Sequence, residues 1–169
     1  MAKVIYISGG QRSGKSSFAM QKALELSENP VYMATSRIWD KDFNKRVEKH
    51  KQDRSNQWIN IEEEKELSKH NLSDKTIVVD CVTLWLTNYF SDNNYNIEKS
   101  LDEAKKEWSK FIDQDCTILA ISNEIGMGVH GSTEGARKFT DLQGWMNQYI
   151  AKNADEVYLM ISGIPMKVK

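Results

Sequence analysis

Two cysteines and three histidines are all that this 169-residue chain offers in thiol or imidazole side chains. Cys81 and Cys116 stand far apart, each in or beside an apolar segment, so buried free thiols are expected rather than a disulfide framework. His50, His70 and His130 make no metal-ligand spacing with one another or with cysteine. Charge of one sign is also missing. The 23 Lys and Arg residues against 24 Asp and Glu leave a formal net charge of −1, so no global basic field points to nucleic acid. No apolar run approaches membrane-spanning length, and Val4-Ile5-Tyr6-Ile7 is too short for a signal-peptide core. A cytoplasmic protein without a membrane span is the expectation. At this length one domain, residues 1–169, is the simplest reading, long enough to bury a substantial core.

What the chain does contain is Gly9-Gly10-Gln11-Arg12-Ser13-Gly14-Lys15-Ser16, a fit to G-x-x-x-x-G-K-[ST]. Val4 to Ile7 ahead of it reads as a short buried strand. Residues 17–27 behind it read as a helix, with Phe18, Ala19, Ala23 and Leu26 near one face. A strand, a glycine loop and a helix N-terminus make an anion cradle from backbone N–H groups and the helix dipole. Lys15 is placed to reach the outer phosphates of a nucleoside triphosphate, and the Ser16 hydroxyl to ligate Mg²⁺. The bland alternative is a Gly-rich turn with a solvated lysine.

Strand-like and helix-like segments then alternate without an obvious linker or repeat. Residues 30–34, 59–61, 76–80, 117–121 and 157–161 read as strands. Helices are predicted over 40–54, 62–70, 84–90, 97–111 and around Phe139, Leu142 and Met146. The clearest helix has Ile97, Leu101, Ala104, Trp108 and Phe111 at regular helical spacing. The turn Ser162-Gly163-Ile164-Pro165 folds residues 166–169 back as an antiparallel C-terminal hairpin. This order predicts an α/β domain with a mostly parallel sheet and helices on both faces. Ligands collect at the carboxyl ends of such strands, where the phosphate loop, Thr35-Ser36, Asp80 and Asn123-Glu124 all fall.

Asp80 follows Ile77-Val78-Val79, the pattern of a second metal carboxylate beside Ser16, though an acidic strand end would look the same. His50 shares a helical face with Phe43 and Val47, which suits a packed core residue. Arg46, Lys49, Lys51 and Arg54 surround it, and such crowding favours an unprotonated, nucleophilic ring. Glu62 opens an acidic run for which solvent exposure is the default. The Thr87-Asn88 and Asn123-Glu124 pairs suit either helix caps or ligand contacts.

Taken in order, several segments resemble the bifunctional adenosylcobinamide kinase/adenosylcobinamide-phosphate guanylyltransferase family of cobalamin biosynthesis. They are Ile7 to Ser16, Tyr32-Met33-Ala34-Thr35-Ser36, Arg46 to Arg54 with Trp58 and Glu62, and Val79 to Asn88. Ser122 to Gly128, Phe139-Thr140-Asp141, Asn147-Gln148, Ala154 to Val157 and Ser162 to Pro165 complete the set. Asp42-Phe43 stands where relatives often carry Glu-Met, and Lys138 with residues 129–135 departs from a more basic, proline-bearing version. The resemblance implies a P-loop, RecA-like fold with a mixed sheet, a homotrimer, and two reactions at one site. First, ATP or GTP phosphorylates the aminopropanol hydroxyl of adenosylcobinamide. Then GTP guanylylates a histidine, matched here by His50, and GMP passes to adenosylcobinamide phosphate with pyrophosphate released. The resemblance further implies nucleotide contacts at Ala34, Thr35, Ser36, Lys51, Arg54, Glu62 and Asp80.

Two other readings stand beside this one. One is a plain P-loop small-molecule kinase with a structural His50. The other is a GTP-dependent switch or binding module, against which the chain lacks an Asn-Lys-x-Asp guanine-reading motif.

Overall fold

A computed structural model describes residues 1–37 and 56–169. The predicted helix over 40–54 therefore lies outside the described residues, and with it His50, Lys51 and Arg54. Seven strands form one sheet: β1 (Lys3–Gly9), β2 (Val31–Ala34), β3 (Ile59–Glu62), β4 (Thr76–Asp80), β5 (Thr117–Asn123), β6 (Glu156–Ile161) and β7 (Ile164–Lys167). Their spatial order is β3-β2-β4-β5-β1-β6-β7. Every pairing is parallel except β6 with β7, which is antiparallel. β5 thus stands between the strand that feeds the phosphate loop and the strand that ends in Asp80. The sheet is mostly parallel, as expected, and ends in the expected antiparallel C-terminal hairpin.

The central strands are apolar on both faces because both faces are covered. Val4 and Tyr6 of β1, Ile77 and Val79 of β4, and Ile118 and Ala120 of β5 point into one core. Their alternates Ile5, Ile7, Val78, Leu119 and Ile121 point into the other. The first core is closed by α2 (Val82–Asp92), α3 (Ile97–Phe111) and α4 (Glu134–Asn153), with Trp85, Trp108 and Phe111 fully buried. The second lies under α1 (Lys15–Leu26), which contributes Ala19 and Ala23, while Leu26 at its end is exposed. Asn96 caps α3 by accepting the Lys99 N–H at 2.9 Å, and Thr133 caps α4 by accepting that of Ala136 at 3.1 Å. α2 and α4 both begin earlier than their apolar residues predict. Cys81 and Cys116 are buried free thiols, as expected.

One predicted element is not formed. Residues 62–70 do not make a helix; β3 runs to Glu62, and only Leu67–Lys69 makes a 3₁₀ turn. Side chains of α2 capture the carbonyls a helix would have needed. Trp85 Nε1 and the Tyr89 hydroxyl donate to the Lys65 carbonyl at 2.9 and 3.1 Å, and Asn88 Nδ2 donates to that of Glu64 at 2.9 Å. Glu63 turns inward and accepts the backbone N–H groups of Lys65 and Glu66 at 3.1 and 2.9 Å. Tertiary hydrogen bonds have replaced the local ones.

Candidate nucleotide site

β1 ends at Gly9 and α1 begins at Lys15, and the loop between them borders a cavity of about 320 Å³ lined by residues 12–17. No acidic residue stands in the first turn of α1, and no side chain caps it. Its first N–H groups and the positive end of its dipole therefore face the cavity, an arrangement suited to an anion. Two glycines make the loop possible. Gly14 has φ +94°, and a Cβ at Gly9 would lie 2.7 Å from Ser13 Oγ and 2.9 Å from the Met160 carbonyl oxygen. The turn between β6 and β7 leans on the same loop, where the Gly163 N–H donates to the Ser13 carbonyl at 3.0 Å.

Lys15 is buried, and its ammonium curls back to donate to the Gly10 carbonyl at 2.5 Å and Ser13 Oγ at 3.5 Å. Burial lowers its pKa from the ordinary lysine value, with Cys81 and Asp80 acting the other way. Among the described residues no carboxylate lies within ion-pair distance of it. Its contacts among the described residues are to a carbonyl and a hydroxyl, so an incoming polyphosphate would meet an ammonium that none of their carboxylates pairs directly.

Asp80 closes β4 opposite the start of α1. Its Oδ2 accepts the Ser16 hydroxyl at 3.0 Å and the Tyr32 hydroxyl at 2.5 Å. A hydroxyl and a carboxylate held this close fit Mg²⁺, a hard cation that takes few protein ligands and fills its remaining positions with water and phosphate oxygens. Among the described residues no group of three or more His, Cys, Asp or Glu forms a cage of another kind.

The segment after β2 is tied to the same strand end. Thr35 is fully buried; its N–H donates to the Asp80 carbonyl at 3.1 Å and its hydroxyl to the Cys81 carbonyl at 2.8 Å. The same hydroxyl accepts the Cys81 N–H at 2.9 Å. Thr35 thus clips the chain leaving Asp80 to the chain leaving β2. Asn88 completes the clip by donating to the Thr35 carbonyl at 2.9 Å, so its amide serves the fold. Strand register sets Ala34 beside Glu62 on one side and Asp80 on the other. Gly9, Ala34, Ser36, Glu62 and Asp80 accordingly occupy one rim. Glu62 is exposed and lies four strands from β1, a span of roughly 19 Å at ordinary strand spacing.

Tyr32 as a partner of Asp80 is absent from the sequence reading. Its only signal is a hydroxyl-bearing aromatic two residues ahead of Ala34, in a strand that must first be known to lie beside β4. Glu124, read as a cap or ligand contact, follows β5 at the same rim, where its N–H donates to the Gly9 carbonyl at 3.0 Å.

Comparison with known proteins agrees with this geometry. A family model described as cobinamide kinase / cobinamide phosphate guanyltransferase matches residues 5–168. The bifunctional adenosylcobalamin biosynthesis protein CobU of Escherichia coli (strain K12) is 33% identical over 183 residues, covering 98% of this chain and 99% of that protein. Its namesake in Salmonella typhimurium gives 33% identity over the same shares of each chain. CobP of Pseudomonas aeruginosa is 32% identical over 168 residues, covering 96% of this chain and 95% of the relative. Among solved structures, flagellar accessory protein FlaH from Methanocaldococcus jannaschii aligns with 99% of this chain and 78% of its own, at 13% identity and a TM-score of 0.46. A match from residue 5 to residue 168 takes in both the phosphate loop and the hairpin that leans on it, and the chain belongs to the cobinamide kinase / cobinamide phosphate guanyltransferase family of enzymes.

Proposed function

We propose that this chain, acting as one domain over residues 1–169, phosphorylates adenosylcobinamide with ATP or GTP and then transfers GMP from GTP to adenosylcobinamide phosphate. The observation that carries the reading is the meeting of Ser16 and Asp80 at 3.0 Å beneath the phosphate loop in a member of this family. In the first reaction Gly9 to Ser16 hold the triphosphate through backbone N–H groups, and Lys15 neutralises charge on the γ-phosphoryl group as it moves. Ser16 and Asp80 would hold Mg²⁺, which would offset the negative charge of the phosphates. In the second reaction the same loop holds the departing pyrophosphate.

The nucleophile of the second reaction is His50. Imidazole attacks the α-phosphorus of GTP near neutral pH, and the resulting P–N bond is labile enough to surrender GMP to the second acceptor. Lys51 and Arg54, which follow His50 in the sequence, meet phosphate oxygens in this reading, as the family resemblance implies. Ala34, Thr35 and Ser36 offer backbone groups midway along the rim. Glu62, too far across the sheet to touch phosphates held at β1, receives the nucleoside end. Family resemblance also supports a cytoplasmic homotrimer, which sedimentation of the purified protein checks.

Incubation with α-labelled GTP tests the mechanism. Protein-bound GMP, acid-labile and base-stable, is expected in the native chain and absent in His50→Ala, while phosphorylation of cobinamide persists. Failure to trap any label under conditions of turnover would leave a plain small-molecule kinase.

A further inference from the structure

β5 delivers Glu124 to a position that the two reactions above leave unused. Its carboxylate accepts a hydrogen bond from Asn147 Nδ2 at 3.2 Å, and another from the Ser8 side chain. Asn147 is itself fixed from behind. Its Nδ2 also donates to the Asn123 carbonyl at 3.1 Å, while its Oδ1 accepts the Ser122 hydroxyl at 2.7 Å and Gln143 Nε2 at 2.8 Å. Ser122, Gln143 and Asn147 are all buried. A buried polar network of this extent serves to hold its terminal member in one orientation, and that member is a carboxylate.

In front of Glu124 lies a cavity of about 580 Å³ whose other lining divides in two. One wall is Gly10, Gln11 and Ser13 of the phosphate loop; the other is apolar, including Met127, Leu159 and Ile161. Among the described residues no other ionisable side chain lines it. A carboxylate here faces an acceptor molecule entering beside the loop that holds the phosphates. Asp80, by contrast, belongs to the side where Ser16 and Tyr32 already occupy its oxygen.

We infer that Glu124 is the general base of the kinase reaction, receiving the proton of the acceptor hydroxyl that entered through this cavity. The inference rests on the kinase reading above. The hydroxyl oxygen forms a bond to the γ-phosphorus, the bond from that phosphorus to its β-bridging oxygen breaks, and the nucleoside diphosphate leaves with that electron pair. The hydroxyl proton passes to the Glu124 carboxylate and from there to solvent. Burial raises the Glu124 pKa from the ordinary carboxylate value, with Ser8 and Asn147 acting against it, and a stronger base results. From the elements packed around it, β1 presents Ser8 and Tyr6, the latter kept neutral by burial. α4 presents the amides of Gln143 and Asn147, and β6 presents Leu159, Met160 and Ile161.

The bifunctional reading supplies an internal control. Glu124→Gln should lower kcat for cobinamide phosphorylation by about 10²–10⁴-fold with little change in the nucleotide KM. It should also abolish the acidic limb of the kinase pH profile, across which activity rises as the carboxylate ionises. Labelling of the protein by α-labelled GTP should stay within about threefold, since that step uses an imidazole and not Glu124. Glu124→Asp, which keeps the charge, should retain labelling and recover part of the kinase rate. A kinase kcat within threefold of the native value in Glu124→Gln would overturn the inference. So would an equal loss of both activities in both variants, which marks a structural role. A native chain that phosphorylates no cobinamide overturns the reading beneath it as well, whereas an active native chain with an equally active variant overturns this inference alone.

Discussion

Ser16 Oγ donates to Asp80 Oδ2 at 3.0 Å, joining the first turn of α1 to the end of β4, and the Tyr32 hydroxyl reaches the same oxygen. Asp80→Asn keeps an acceptor for both hydroxyls but removes the negative charge. The fold should therefore be little affected, while the Mg²⁺ concentration for half-maximal turnover should rise roughly 10–100-fold. Asp80→Ala should in addition leave the Tyr32 hydroxyl without its acceptor and cost about 1–3 kcal/mol. Metal titration of nucleotide turnover, set beside urea denaturation of each variant, separates the two effects. Unchanged metal dependence in Asp80→Asn would remove this carboxylate from the metal site.

Burial of the Lys15 ammonium costs the free protein stability, and the proposed function has that charge meet bound phosphates. Its pKa is lowered by burial, so between that value and the ordinary lysine pKa the unfolded chain binds more protons, and stability rises with pH across that interval. Below the interval both states are charged and the cost of burying the ammonium is complete. Lys15→Met should flatten the alkaline rise and leave the free protein at least as stable at pH 7, while lowering turnover roughly 10²–10³-fold. Denaturation curves at pH 7 and pH 10 check the first part. A less stable variant at pH 7 would contradict it.

The acid limit of stability should trace to Glu63. Burial would push its pKa up, but hydrogen bonds from Lys69, from the N–H groups of Lys65 and Glu66, and from His70 bring it down to about 2. A carboxylate with a depressed folded pKa contributes stability above its unfolded value, near 4.5, that is lost as pH falls through that window toward about 2. Glu63→Gln should cost on the order of 1–3 kcal/mol at pH 7 and far less at pH 2. Paired denaturation at the two pH values tests this, and an equal loss at both would point to packing alone.

Gly9→Ala places a methyl 2.7 Å from Ser13 Oγ and 2.9 Å from the Met160 carbonyl. Backbone on the β6 side cannot rotate away, so the loop must shift. A destabilisation of about 1–3 kcal/mol and a larger loss of nucleotide affinity are expected, read by calorimetry on the same sample. Gly10→Ala, with no atom in reach of its Cβ, is the control and should leave stability nearly unchanged.

How much of this was legible beforehand depended on where each residue's partners lie. α3 could be read directly because its buried residues Ala104, Trp108 and Phe111 recur at helical spacing and Asn96 caps it. β1, β4 and β5 were legible because burial on both faces requires unbroken apolar runs. The phosphate loop could be read because its parts are contiguous. Residues 62–70 misled because their charged pattern suits a helix, while Trp85, Asn88 and Tyr89 from a later element take the carbonyls. The Tyr32–Asp80 bond was hidden by sheet order: β3 comes between β2 and β4 in the chain but stands outside both in space. Nor does any local signal show that Thr35 spends its hydroxyl on Cys81.

The neighbours of β1 in the sheet are β5 and β6, and Gly163 bonds back to Ser13. The strand that carries the phosphate loop thus draws both of its neighbours from distant parts of the sequence, Thr117–Asn123 and Glu156–Ile161. Met160 of β6 forms the wall behind Gly9, and Gly163 of the following turn lies against Gly14. An anion cradle at this loop is therefore a property of the assembled sheet and not of its contiguous sequence alone.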